Sequence, residues 1–409
     1  MNSHLKVEPA ERLVSLDALR GYTMLLMASS ALGVSEVARQ FPESGAWGFL
    51  SYHFSHDPWR GGGLWDMIQP FFTFMVGVSM AYSYARRSER GQSYRRMLGH
   101  ALYRSFVLVA LGVLLRSRWT FEDVLAQMGL GYVFLFLLWR RRARWVLASA
   151  LGILVAYWAL FALWPLPGPD HDHAAVDVSS AWMEEHGFTG FAAHWNKNAN
   201  PAHYFDRWFL NLLPQNEPFV ANRGGYHTLS FIPSLATMIL GLLAGELLRS
   251  SRSPARKLRS LVAWGTLGLA AGVALDWAGI CPIVKRIWTP SWTLYSGGWA
   301  LLTLAGFYGA IDILRFRAWA WPGVVVGLNS IALYVLSKLI TVWVDRTIRG
   351  ICGQDIYSLF NHTVEAAGDD GSVIQQTIRY DPLVHRAAVL FVLWLICWGM
   401  YRRKMFVRI

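Results

Sequence analysis

A histidine, a tryptophan and an aspartate stand close together in the segment SHDPWRGGGLWDMIQPFFTFMVGVS, which holds His56, Trp59 and Asp66 around the run Gly61, Gly62 and Gly63. An imidazole near a carboxylate has a plain chemical use. Neutral histidine can remove a proton from an attacking amine or hydroxyl, or accept an acyl group itself, while the carboxylate holds its tautomer and stabilises the imidazolium. The glycines let the backbone fold back tightly, and Pro70 frees a carbonyl one turn into the helix that Asp66 opens. The same spacing also fits a structural loop histidine beside a helix-capping aspartate, and spacing alone leaves both readings open.

Further polar groups sit in apolar surroundings. Asp17 and Arg20, three residues apart, share one helix face, either as a pair that locks a helix end or as part of a ligand site. Arg104 falls about 10 Å into an apolar run, where an unpaired charge costs about 2.5 to 3.5 kcal/mol. It needs a partner, a path to the headgroups, or an anion, and together with Arg20 it could grip the phosphates of a coenzyme. Asn329 falls near the middle of another run and is read as a helix-to-helix hydrogen bond or a substrate contact. Asp276 and Asp312, near run ends, are read as caps or pairs. Residues 192–211, AAHWNKNANPAHYFDRWFLN, combine Trp195, Asn196, Lys197, Asn198, His203, Tyr204 and Asp206, a mixture suited to sugar rings and their hydroxyls or to packing a loop onto a bundle. His171 and His173 alternate with acids but lack further ligands at metal-binding spacing, so no metal is expected.

The elements that must carry these groups are apolar runs of membrane-spanning length. They begin near Leu16, Leu64, Leu102, Val124, Val146, Leu229, Leu261, Leu294, Trp319 and Leu383. With 54% hydrophobic and 16% charged residues in 409, the chain reads as an all-α, polytopic membrane helix bundle of about ten spans, forming a single domain over residues 1–409. Basic clusters at residues 86–96, 140–144, 249–259, 315–317 and 402–408 occupy every second connection, which predicts cytoplasmic placement for them and for both termini. Long connections at residues 39–63, 165–226 and 345–382 then share the outer face, where specificity is to be sought. The net charge of +12 is thus topological, and 21 Trp and 16 Tyr, many near run ends, suit interfacial belts. The expected partner is the lipid bilayer, with nucleic acid excluded. Three cysteines allow no disulfide framework, and whether Cys281 and Cys352 pair is left open. The first 21 residues lack the apolar core of a signal peptide, so the first span is expected to serve as the insertion signal.

The string R-x-x-S-x-D-x-x-R-G from Arg12, then H-x-x-W-x-G from His56 and D-x-x-x-P-x-F-x-F-x-x-G-x-S from Asp66, resembles the signature of the heparan-α-glucosaminide N-acetyltransferase family. YFDRWFLN around Asp206 and Arg207, residues 228–246 and residues 327–338 (GLNSIALYVLSK) extend the likeness in the expected order. The resemblance implies a bacterial homologue in the inner membrane that moves an acetyl group from cytoplasmic acetyl-coenzyme A to an amino sugar or glycan on the far side. It implies His56 as base or acyl carrier, with Asp66 beside it; the residues' own chemistry and position are read as donor contacts from Asp17, Arg20 and Arg104 and acceptor contacts from Trp59, Asn196, Asp206, Arg207 and Asn329. Two positions depart from the pattern: Ser29 and Ser30 stand where an asparagine is expected, and residues 124–127 read VLAQ, without an arginine. A sugar or glycan permease is the rival reading, unsupported by any internal repeat. Homodimerisation is left open.

Overall fold

A computed structural model describes residues 13–168, 170–367 and 373–407; Arg12 of the first motif and Arg408 of the last basic cluster lie outside the described residues. Among the described residues sixteen α-helices follow in order. They are α1 (Val14–Ala28), α2 (Val34–Ala38), α3 (Gly45–His53), α4 (Leu64–Glu89), α5 (Tyr94–Arg116), α6 (Val124–Leu138), α7 (Ala143–Ala162), α8 (Ser180–His186) and α9 (Pro201–Leu210). The second half holds α10 (Phe231–Arg249), α11 (Pro254–Trp277), α12 (Pro290–Phe307), α13 (Trp321–Gly327), α14 (Ser330–Leu339), α15 (Thr341–Cys352) and α16 (Asp381–Arg402). One antiparallel hairpin, β1 (His362–Ala367) with β2 (Val373–Ile378), decorates the last long connection.

All ten apolar runs are helical, yet their lengths differ from the uniform spans expected. Among the described residues five helices are long and apolar enough to cross a membrane: Tyr94–Arg116, Ala143–Ala162, Thr228–Arg249, Pro254–Trp277 and Asp381–Arg402. Ala318–Gly327 and Ser330–Leu339 form a pair bent by 69°. The chain is therefore a multi-pass helical membrane protein, while α1 and α6, at 15 residues each, reach only about 22 Å. At its end α1 breaks into a left-handed turn, with φ of 49°, 58°, 50° and 68° at Ser30, Ala31, Leu32 and Gly33. Three of these residues have a Cβ and carry a steric cost there.

The centre of the bundle is α4 against α10. Small residues set the contact: a Cβ on Gly77 would lie 1.9 Å from the Met238 carbonyl oxygen, and one on Gly241 would lie 2.0 Å from that of Phe74. Such close backbone approach is how membrane helices gain packing energy without a hydrophobic drive between them.

The bundle has two unlike ends. Arg249 pairs with Glu89 at 3.2 Å, joining the basic ends of α4 and α10. At the opposite end Tyr157 donates to the Ile287 carbonyl at 3.0 Å, Gln127 donates to the His227 carbonyl at 3.4 Å, and Arg60 pairs with Asp276 at 2.9 Å. The loops at residues 39–63 and 165–226 thus meet the α11–α12 connection on one face.

Candidate active site

The loop before α4 is shaped by its glycines. Gly61 takes φ +116°, a Cβ on Gly62 would lie 2.3 Å from the Trp292 ring, and one on Gly63 would lie 2.7 Å from the Tyr52 carbonyl oxygen. The Gly61 amide donates to the Ile283 carbonyl at 3.0 Å, so residues 60–61 lie beside Val284 as a short bridge. Asp276 reinforces that junction by accepting from the Ile283 amide at 3.0 Å while pairing with Arg60. Thr289, the cap of α12, accepts from the Val284 amide at 3.0 Å. These contacts deliver Lys285 to the start of α4.

Three side chains meet there. His56 Nδ1 lies 2.7 Å from Asp66 Oδ1, and Lys285 Nζ lies 2.9 Å from the same oxygen and 3.1 Å from Nδ1. The Asp57 amide donates to the other oxygen of Asp66 at 3.1 Å. Asp66 and Lys285 are buried, whereas 44% of the His56 side chain is exposed. Pro70 has no N–H to return to the Asp66 carbonyl, so the first turn of α4 is open at the residue that anchors the cluster. A carboxylate 2.7 Å from Nδ1 requires a proton between them, which leaves Nε2 as the basic nitrogen.

Burial pushes the imidazole of His56 below its ordinary pKa; the hydrogen bond to Asp66 opposes this, and the charges of Lys285 and Arg286 add to it. Burial, with the Asp66 carboxylate nearby, raises Asp57 to about 6. Arg286 ties the loops together, donating to the Gly224 carbonyl at 2.6 Å and to the Asp57 carbonyl at 3.1 Å.

The basic end of the bundle holds a cavity of about 520 Å³. One face of α4 supplies Phe72, Met75, Ser79, Ser83, Arg86 and Arg87, and other elements add Arg20, His100, Arg104, Leu125 and Met128. From Arg87 to Phe72 the helix rises about 22 Å, and six further residues, about 9 Å, lead to Asp66. Arg20 donates to Ser79 at 2.6 Å and lies 3.9 Å from Asp17. Arg104 stacks over Tyr132 at 4.9 Å, and its buried Nε has no hydrogen-bond partner. Sequence reading named Arg20 and Arg104, took Arg86 and Arg87 as part of the connector cluster at residues 86–96, and did not single out His100.

The other expected site residues are placed differently. The Trp59 indole is buried and donates to the Trp195 carbonyl at 3.1 Å. The Asn196 amide is consumed by both main-chain groups of Phe188, at 2.7 and 3.0 Å. Asp206 is buried against His227 at 3.3 Å and the Thr228 amide at 3.0 Å, while Arg207 on the same helix is exposed. Asn329 lies at the break between α13 and α14, donating to the Met405 carbonyl and accepting from the Val407 amide, both at 3.0 Å. It therefore belongs with the basic cavity, whose walls include Gly327, Ser330 and Val407. Asp17 is not among the cavity's walls but pairs with Arg20, which is. Cys281 is buried and Cys352 exposed, and both are free.

Residues 12–170 match the family model described as "Heparan-alpha-glucosaminide N-acetyltransferase, catalytic", a stretch that carries His56, Asp66, Arg20 and Arg104. The human heparan-alpha-glucosaminide N-acetyltransferase is 24% identical over 377 residues, covering 79% of this chain and 52% of that protein. The mouse protein of the same name is 24% identical over 378 residues, covering 80% and 53%. The chain spans about half the length of these curated relatives. The chain is thus similar to heparan-alpha-glucosaminide N-acetyltransferase over about four-fifths of its length, and the family model's match falls on the segment that joins the histidine cluster to the arginine-walled cavity.

Proposed function

We propose that the protein is a transmembrane acetyltransferase that takes an acetyl group from acetyl-coenzyme A at its basic face and gives it to the amine or hydroxyl of an amino sugar or glycan at its loop face. The observation that carries this reading is the two-ended α4, with a cluster able to present a basic imidazole nitrogen at one end and an arginine-walled cavity of about 520 Å³ running toward it from the other. Arg20, Arg86, Arg87 and Arg104 would hold the donor's phosphates through charge-assisted hydrogen bonds, leaving the thioester arm to run along the Phe72 and Met75 side of α4.

Two routes use the same His56 nitrogen. In one, Nε2 attacks the thioester carbonyl and the C–S bond breaks to release thiolate; the acceptor amine then attacks the acetyl-imidazolium, the acyl–Nε2 bond breaks, and the amine's proton passes to the freed Nε2. In the other, Nε2 takes that proton as the amine attacks the thioester carbonyl directly, and the C–S bond breaks to release thiolate. Asp66 stabilises the positive charge that each route places on the ring. Incubating purified protein with labelled acetyl-coenzyme A and a panel of amino sugars tests the proposal: acetylated product supports it, and sugar flux through proteoliposomes without product would select the permease reading.

The basic face is cytoplasmic in this scheme, in a bacterial inner membrane, because basic connectors are retained on that side. In a Cys352→Ser background, cysteines engineered into residues 170–186 should react with an impermeant thiol reagent in intact cells, whereas one at Arg252 should not. The reverse pattern would turn the protein over and place donor and acceptor on the wrong sides.

A further inference from the structure

We propose that Lys285 is a positioning residue that keeps His56 neutral, with Nδ1–H directed to Asp66 and Nε2 free to act. This deepens the acetyltransferase reading, which neither the family match over residues 12–170 nor the sequence motifs extend to this lysine.

The geometry carries the assignment. Lys285 Nζ is buried and lies within hydrogen-bond distance of both Asp66 Oδ1 and His56 Nδ1. Two protonated nitrogens cannot both direct a hydrogen at each other, so with Nδ1–H committed to the carboxylate at 2.7 Å the ammonium must donate to Asp66. The ring then has a fixed positive charge 3.1 Å from Nδ1. A simple histidine–carboxylate pair favours the imidazolium, because the anion beside it stabilises the charged form. Here the anion is already neutralised by the lysine, and a second positive charge on the ring would be repelled by the first. Lys285 thereby separates two effects of Asp66: it keeps the aspartate's control of tautomer and removes much of its pull toward protonation. A lysine held against a buried carboxylate is charged, so it is not itself an acyl acceptor.

The charged and titratable groups around His56 are few. Asp57 comes from its own loop, Asp66 from α4, and Lys285 and Arg286 from the segment before α12. Tyr52 faces Asp57 from the end of α3, and His53 accepts from the Leu64 amide at 3.3 Å. Arg286 acts in the same direction as Lys285 but directs its donors to the Gly224 and Asp57 carbonyls, not to Asp66. Asp57, raised to about 6, is common to every variant compared below.

The readout is the rate of carbethoxylation of His56 by diethyl pyrocarbonate as a function of pH, followed by mass spectrometry of the full-length protein in detergent. Only unprotonated imidazole reacts, so the midpoint reports the ring directly and needs no acetyl transfer. Lys285→Met should move the midpoint up by about one pH unit or more, the scale of a lost neighbouring charge. Lys285→Gln, which can still donate to Asp66 without charge, should move it the same way and serves if the methionine variant does not fold. Lys285→Arg should leave it near the wild-type value. Aminoethylation of Lys285→Cys, which rebuilds an ammonium at similar reach, should bring the midpoint back down. A folded neutral variant with the wild-type midpoint would overturn the proposal. If the midpoint shifts while no variant or wild type transfers acetyl groups, the role of Lys285 stands and the acetyltransferase reading fails.

Discussion

His56→Ala is expected to lower acetyl transfer by at least about a hundredfold, the lower end of what a positioned acid–base group contributes, while donor affinity and thermal stability change little. The structure makes this a clean substitution. Removing the ring leaves Asp66 still paired with Lys285 at 2.9 Å and still accepting from the Asp57 amide, so no buried charge loses its only partner. Asp66→Asn is a poorer test of chemistry. It would leave the Lys285 ammonium buried without its counter-charge, a change that costs about 3 to 5 kcal/mol when a buried pair is broken from one side. Slow transfer by that variant would mix lost tautomer control with lost fold. A stable His56→Ala protein with near-native turnover would remove His56 from the mechanism. Rapid quenching of wild type with labelled donor and no acceptor separates the two routes, since label retained on wild type and absent from His56→Ala marks an acetyl-histidine.

How much of this site was legible in the sequence depends on chain distance. His56 and Asp66 are ten residues apart, and the glycine run between them announces a tight return, so their meeting could be anticipated. Lys285 lies 219 residues beyond Asp66 in a connector, PIVKRIW, with no pattern of its own. Its position depends on the pairing of residues 60–61 with Ile283 and Val284 and on Asp276 bracing that junction, none of which has a local signal. The loop residues were ambiguous for a different reason. Tryptophan and asparagine suit a sugar and a loop core equally well by composition, and burial distinguishes them; Trp195, Asn198 and Asn200 are wholly buried, and Trp195 packs against Trp59 and Phe161. The helices were readable as apolar runs, but their exact reach was not. Hydropathy does not reveal where a left-handed turn ends α1 or where a 69° bend divides α13 from α14.

Arg104→Gln is expected to weaken acetyl-coenzyme A binding by about tenfold or more, the free-energy scale of one charged hydrogen bond, with a smaller loss for Arg20→Gln. The difference follows from what each guanidinium already has. Arg20 is held by Ser79 at 2.6 Å and stands near Asp17 at 3.9 Å, so part of its donor capacity is spent within the bundle. Arg104 rests on the face of Tyr132, which attracts its charge but accepts none of its conventional hydrogen bonds, and its Nε is buried without a partner. A planar donor in that condition on the wall of a cavity is suited to a phosphate. Equilibrium binding of labelled donor to detergent-purified variants measures the effect, with His56→Ala as a control that should retain affinity. Because Arg104 faces a cavity also lined by His100 and Arg87, replacing it should not strand a buried carboxylate, and the folded bundle should survive. Unchanged affinity in both variants would return the two arginines to helix pairing and headgroup contact, and would move the donor's entry away from this cavity.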